Sequence, residues 1–230
     1  MKVVHIVESI KGGIATYLNT VLQYQSKCSD IENIGVIIPK LQVNNLIVLK
    51  NVNLHTYDYE RNNSISSLVR AMLAIRMNIN RICPDIIHIH SSYAGFLTRF
   101  PLFLCPTKSK IVYCAHGWAF TMEGTSTKRS SYGFIERFLA QKTNLIINIS
   151  EYEYQTSLKF GLPLEKSCVI YSGSNEGVRG TVLLTPFCCR PRVHYYKGQT
   201  KANTNKGTFF LFAKLIATWC FTVCAISLIN

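Results

Sequence analysis

The sequence predicts an α/β fold: one parallel sheet with helices on both faces. Three observations carry this. Short apolar runs alternate with longer segments of helical pattern along most of the chain. The runs have the composition of strands buried on both sides, as in parallel sheets. Glycine, serine and histidine gather where runs end and helices begin, which is where such sheets place their ligands.

The elements follow in order. Strands are expected over residues 2–7, 34–38, 54–57, 86–90, 110–114, 145–148 and 167–171. Helices are expected over residues 13–26, 64–81, 93–103, 132–142 and 151–160. Residues 39–49 read as a loop or a short extra strand. Ser64 opens the second helix, and Pro84 stops it before the fourth strand. Ser150 with Glu153 three residues on is a capping box, and Gly161 and Pro163 end that helix.

Composition bounds the function. A chain of 230 residues is one generous domain, or a domain with an appendage. Its net charge is +13, but every acid lies at or before Glu176. The body therefore carries 18 basic against 12 acidic residues, or +6. That suits anionic substrates or an anionic bilayer surface. No basic stripe with interleaved aromatics appears in it, so no nucleic acid is expected as a partner. Cys28, Cys83, Cys105, Cys114 and Cys168 stand singly, as buried reduced thiols do in a reducing compartment. The first apolar run is too short for a signal peptide.

The strand-to-helix junctions carry the chemistry. Gly12-Gly13 follows the first strand but matches neither the dinucleotide fingerprint nor the P-loop. Two readings remain at this point: a tight turn, or a backbone kept bare for a ligand's anionic oxygens. In "PDIIHIHSSYAG", His88 and His90 share one face of a strand. A metal needs a third ligand beyond such a pair, and none is evident, so no metal is expected. Ser91 and Ser92 cap the next helix and can face a cleft. In "KIVYCAHGWAF", His116 stands at the strand's carboxyl edge, where an imidazole can reach a ligand, and Gly117 frees the turn. Trp118 either stacks on a sugar ring or packs in the core. Ser150 is a cap; nothing resembles the G-x-S-x-G of a serine hydrolase.

In this order, Gly12-Gly13, "PDIIHIHSSYAG", "AHGW", "INISEYE" and "KFGLPLEKSCVIYSGS" resemble the N-terminal domain of a glycosyltransferase of the GT-B fold, family 4. The likeness is to enzymes of bacterial capsule, O-antigen and other surface polysaccharide, and it covers about residues 1–177. Ser172 stands where that family usually has asparagine. The resemblance implies two Rossmann-like domains around a cleft, with metal-independent transfer that retains anomeric configuration. It implies a nucleotide-sugar donor as co-substrate and a lipid-linked or oligosaccharide acceptor. It places Gly12 and Gly13 against the donor diphosphate and His116 at the donor sugar as the catalytic histidine. Ser91, Ser92, Tyr93 and Trp118 would line the substrate side. A cytoplasmic place, peripheral at the inner membrane, follows from such an acceptor.

The remainder departs from that pattern. Residues 178–230 hold no acid and four of the nine cysteines, and they lack strand–helix alternation, as if the reading frame had shifted. Residues 209–229 carry one charge, Lys214, and have the length of a membrane span. Cys188-Cys189 with His194, and Cys220 with Cys224, lack a regular zinc spacing. The leading expectation is a truncated transferase, inactive alone because the donor-binding domain is missing. Rivals are the acceptor half of a split enzyme and a small membrane-anchored binding protein. A nicotinamide oxidoreductase is distant, for want of its fingerprint.

Overall fold

Seven strands pair edge to edge, every pair parallel, in the order β3-β2-β1-β4-β5-β6-β7. They are β1 (Lys2–Val7), β2 (Asn33–Pro39), β3 (Val52–Tyr57), β4 (Ile86–His90), β5 (Lys110–Cys114), β6 (Leu145–Asn148) and β7 (Ser167–Val169). The computed structural model describes residues 1–47, 49, 51–59 and 64–171. The chain winds outward from β1 to β3, then returns to lay β4 on the other side of β1. The crevice beyond the carboxyl ends of β1 and β4 is therefore the topological switch point, where open α/β sheets hold ligands.

Among the described residues, five α-helices lie between the strands: α1 (Gly13–Gln25), α2 (Ile65–Ile82), α3 (Ser92–Arg99), α4 (Ser126–Leu139) and α5 (Glu151–Lys159). Side-chain alternation along β1 sends its two sets of residues to opposite layers. Val4 and Ile6 pack with Ala71, Ile75 and Ile79 of α2 and Ala94 and Leu97 of α3. Val7 packs with Leu18 and Leu22 of α1 on the opposite face. The expected architecture is the observed one: a Rossmann-like parallel sheet with helices around it.

The boundaries differ in instructive ways. Residues 40–45 form a 3-10 helix, neither a plain loop nor a strand. Helix α3 ends at Arg99, and a 3-10 turn containing Pro101 follows, because proline removes a backbone donor there. Helix α4 begins six residues before the expected Tyr132, capped by Thr125, whose hydroxyl accepts from Lys128 N. The capping box of α5 is half as expected. Ser150 Oγ accepts from Glu153 N, but Glu153 reaches back to Ile149 N, one residue beyond the cap. The expected tail boundary at residue 178, the apolar run at 209–229 and the tail cysteines lie outside the described residues.

One buried ion pair ties the second layer to the sheet. The Arg99 guanidinium meets Glu136 of α4 at 2.7 Å, with both side chains almost fully buried. It also donates to Thr143 Oγ1 and Gly95 O, and lies 3.7 Å from the centre of the Tyr113 ring. Tyr113 donates to the other Glu136 oxygen at 2.8 Å. A Cβ on Gly95 would stand 2.7 Å from Arg99 and 2.8 Å from Tyr113, so glycine is required there by space. The charges are satisfied on both sides, which is the condition for tolerating them in the core. Arg99→Leu strips Glu136 of its partner and should cost about 3–5 kcal/mol in urea unfolding. A loss below about 1 kcal/mol would mean that the core does not depend on this ion pair.

Candidate functional site

Positive backbone dihedrals collect at the carboxyl edge of the sheet. Gly12 (φ 56°), Ser91 (φ 81°), His116 (φ 52°) and Gly117 (φ 115°) all lie just beyond β1, β4 or β5. Two of these are not glycine. Left-handed backbone at such residues costs of order 1 kcal/mol and gathers at functional sites.

The glycine pair sits at the N-terminus of α1, exposed, with Gly12 as the N-cap. No atom lies within 4 Å of where a Cβ would stand on either residue. Gly12 needs its glycine for φ 56° with ψ −130°. Gly13 has ordinary helical placement and open space, so neither the turn nor packing accounts for it.

His116 ends β5's connection, packed edge-on against Tyr17 of α1 at 4.6 Å between ring centroids. Behind it lies a row of rings. In the β1–β4 register His5 is opposite His88 and Val7 is opposite His90, so the three histidines share the α1 side of the sheet. His116 Nε2 is 3.1 Å from His90 Nδ1, His90 Nε2 is 3.0 Å from His5 Nδ1, and His5 Nε2 is 2.7 Å from Gln25 Oε1. Gln25 is on the buried face of α1 with Leu18 and Leu22. His5, His88 and His90 are fully buried. Burial pulls His5 and His116 down to about 4 and holds His88 and His90 well below the ordinary imidazole range, with the neighbouring imidazoles adding to the effect for the latter two. All four are neutral at pH 7.

His5 also supplies the third imidazole missing from the H-x-H pair. One nitrogen each from His5, His88 and His90 lie within 4.8 Å of one another. Three neutral imidazoles are a donor set that zinc accepts. Yet both nitrogens of His5 and both of His90 are already engaged, and a metal would have to break that row of hydrogen bonds.

The other sequence candidates divide. Ser91 caps α3, its hydroxyl accepting from Ala94 N while its own N–H donates to Cys114 O. Ser92 Oγ lies 3.4 Å from the Tyr113 hydroxyl. Tyr93 is half-buried and packs on Tyr59. Trp118 is a correction: it is fully buried, stacks on Phe120 and donates from Nε1 to Asn148 Oδ1 at 3.1 Å. It fixes the loop after β5 from beneath and presents no face for a sugar. Glu153, read only as a cap residue, also accepts from the backbone of Gly117, joining the α5 start to the His116 loop. Burial raises its carboxyl above the usual range, while those backbone donors pull the other way.

His5, Tyr17 and Gln25 escaped the sequence reading. A polar Gln25 on the apolar stripe of α1, and His5 at the same strand parity as an H-x-H pair, were the available signals. Of two cavities, the one at Lys40, Tyr57 and Arg70 lies beyond the carboxyl ends of β2 and β3, on this same edge of the sheet. It measures about 790 Å³; the other, of about 360 Å³, is bounded by Phe134, Arg137 and Lys166.

The depressed imidazoles set a pH dependence. A histidine with a folded pKa near 4 leaves the unfolded chain to take the proton first, below its ordinary value of 6.5. Stability is therefore full above 6.5 and falls as pH drops from 6.5 towards 4, by roughly 3 kcal/mol at most for His5. The imidazole C2 protons of His5, His88, His90 and His116 should hold their NMR positions from about pH 8 down to about pH 5. Titration of any of them near 6.5 would contradict the neutral row.

Comparison with known proteins places the chain. A model of Glycosyltransferase Family 4 matches residues 12–176. A Klebsiella pneumoniae protein, described as an uncharacterized 41.2 kDa protein in a cps region, is 34% identical over 175 residues, covering 75% of this chain and 46% of that protein. Solved structures share the fold at low identity. Sucrose-phosphate synthase from Thermosynechococcus elongatus superposes with a TM-score of 0.60 at 12% identity, over 76% of this chain and 49% of that one. Anabaena Alr3699/HepE, solved in complex with UDP-glucose, gives 0.54 at 19% identity, over 76% and 44%. The chain thus spans about half the length of the relatives it matches. With its family model covering well over half of the residues, the chain belongs to glycosyltransferase family 4.

Proposed function

We propose that the described domain is the acceptor-side wall of a nucleotide-sugar-dependent, retaining glycosyltransferase of capsule or related surface-polysaccharide synthesis. The observation that carries it is a shared edge: Gly12 and Gly13 open α1 after β1, and His116, just beyond β5, packs on Tyr17 of that same helix at 4.6 Å between ring centroids. Family membership and a relative in a cps region support the same reading. HepE, a structural neighbour solved with UDP-glucose, supports a nucleotide-sugar as donor.

In this reading the helix N-terminus with Gly12 and Gly13 meets the diphosphate. His116 hydrogen-bonds the donor sugar, and Ser91, Ser92 and Tyr93 line the acceptor side. Transfer breaks the bond from the sugar's anomeric carbon to the phosphate oxygen and forms one to the acceptor oxygen on the same face. The acceptor hydroxyl's proton passes to the departing phosphate. No step needs a metal. A neutral His116 positions and polarises; it does not deliver a proton at pH 7.

One wall of a cleft buries little of a donor, so the described domain alone holds it weakly. Calorimetry of the 230-residue chain with UDP-glucose should give a Kd of about 1 mM or weaker. Incubation with labelled nucleotide-sugars and a lipid-linked acceptor should give no transfer, and robust transfer by this chain alone would overturn that half of the reading. In the assembled enzyme, Gly13→Val should lower kcat/KM about a hundredfold, by thrusting a branched side chain into the diphosphate's place.

Helix α2 suits a bilayer surface on the acceptor side. Ile65, Val69, Leu73 and Met77 form an exposed stripe at four-residue spacing, beside Arg70, Arg76 and Arg81 and with no acid in the helix. Among the described residues no helix is long and apolar enough to cross a membrane. Binding to vesicles of phosphatidylglycerol should fall about tenfold in Leu73→Glu. Unchanged binding would remove α2 from the membrane face.

A further inference from the structure

The row of rings behind His116 has a direction, and its far end sets it. We propose that Gln25 is a positioning residue that fixes which nitrogen of His116 carries the hydrogen, making His116 a hydrogen-bond acceptor toward its ligand.

The argument is one of counting hydrogens. A neutral imidazole has one N–H and one lone pair. The Gln25 oxygen can only accept, so the 2.7 Å contact requires the hydrogen of His5 on Nε2. His5 Nδ1 is then a lone pair, and the 3.0 Å contact requires the hydrogen of His90 on Nε2. His90 Nδ1 is in turn a lone pair, and the 3.1 Å contact requires the hydrogen of His116 on Nε2. What remains on His116 is Nδ1 with its lone pair, which has no hydrogen bond to the described residues. Turning the Gln25 amide over would reverse every link and leave His116 with an N–H on Nδ1. The amide oxygen, buried beneath α1 and distant from any ligand, thus selects between an acceptor and a donor at the sheet edge.

The consequence is selectivity by chemical type. A sugar hydroxyl can donate to the lone pair of Nδ1. A phosphate oxygen ionised at pH 7 cannot, and meets repulsion there. Phosphate is left to the backbone N–H groups at Gly12 and Gly13, which can only donate. This use of the tautomer rests on the reading of His116 as the sugar contact. The tautomer itself does not, and is measured separately.

The test is long-range ¹⁵N–¹H correlation of the full chain labelled at histidine. The expected pattern is the Nε2–H form at His5, His90 and His116. An Nδ1–H form at His116, or an even mixture, overturns the proposal. Gln25→Met removes the acceptor and should turn His116 to a mixture. Gln25→Glu keeps an oxygen that accepts and should hold His116 in the Nε2–H form. Should Gln25→Met not fold, the wild type and Gln25→Glu still decide. Stoichiometric zinc in the purified chain, with shifts of metal-bound nitrogen at His5 and His90, also overturns it. If the tautomers are as expected but His116→Ala leaves the assembled enzyme's discrimination among sugars unchanged, the row stands and the reading of His116 as sugar contact falls.

Discussion

The pairing of β1 with β4 is the constraint on which the rest depends. These two strands are far apart in sequence and lie side by side because the chain reverses its direction of winding between them. Their register sets His5 opposite His88 and Val7 opposite His90. A slip of one residue would turn His5 to the face where Val4 and Ile6 meet α2 and α3, and carry Ile6 to the α1 side. The same register brings the glycine turn after β1 alongside the Ser91 cap after β4. The site's geometry is thus a by-product of strand pairing.

Burial of His5, His90 and His116 beside that pairing is tolerated because their ring nitrogens bond one another and Gln25. Each buried polar group without a partner costs about 1–3 kcal/mol, more than a single hydrogen bond yields. The row from Gln25 to His116 meets this demand with ring nitrogens alone, and does so only while the rings stay neutral. The second polar system, Arg99 with Glu136 and Tyr113, solves the same problem with charge. It holds α3 and α4 to β5, and so steadies Ser92 at the start of α3. Between them these two systems fix the loops after β4 and β5, where backbone strain at Ser91 and His116 has to be maintained.

Most of the sheet was legible because burial on both faces writes itself as unbroken apolar runs, as in "KVVHIV" and "NIGVIIP". The start of α4 was not, because "STKRSS" is solvated on every side and carries no apolar period. Residues 40–45 were not, since one short 3-10 turn has no period to read. At the site, His116 and the glycine pair were visible from their positions at strand ends. His5 and Gln25 were hidden because a buried polar residue in an apolar element looks like a defect until its partner is known. That partner lies 85 residues away for His5 and His90, a distance only register can close. Trp118 was ambiguous for the opposite reason: a large aromatic beside a glycine fits a core or a sugar equally well, and the Asn148 amide that claims its N–H is on another strand.

The polar groups of this edge fall into two kinds that do not substitute for each other. Backbone N–H groups at the glycine turn offer hydrogens and a partial positive field. A neutral imidazole held from behind offers a lone pair. A ligand with only anionic oxygens satisfies the first and not the second, while a plain sugar satisfies the second and gains little from the first. A molecule that carries diphosphate and hydroxyls a few bonds apart satisfies both at once, and each contact raises the effective concentration for the other. On the proposed reading, the discrimination lies in having both kinds on one sheet edge, so a glycine turn that matches no phosphate-binding fingerprint is still a candidate for the site.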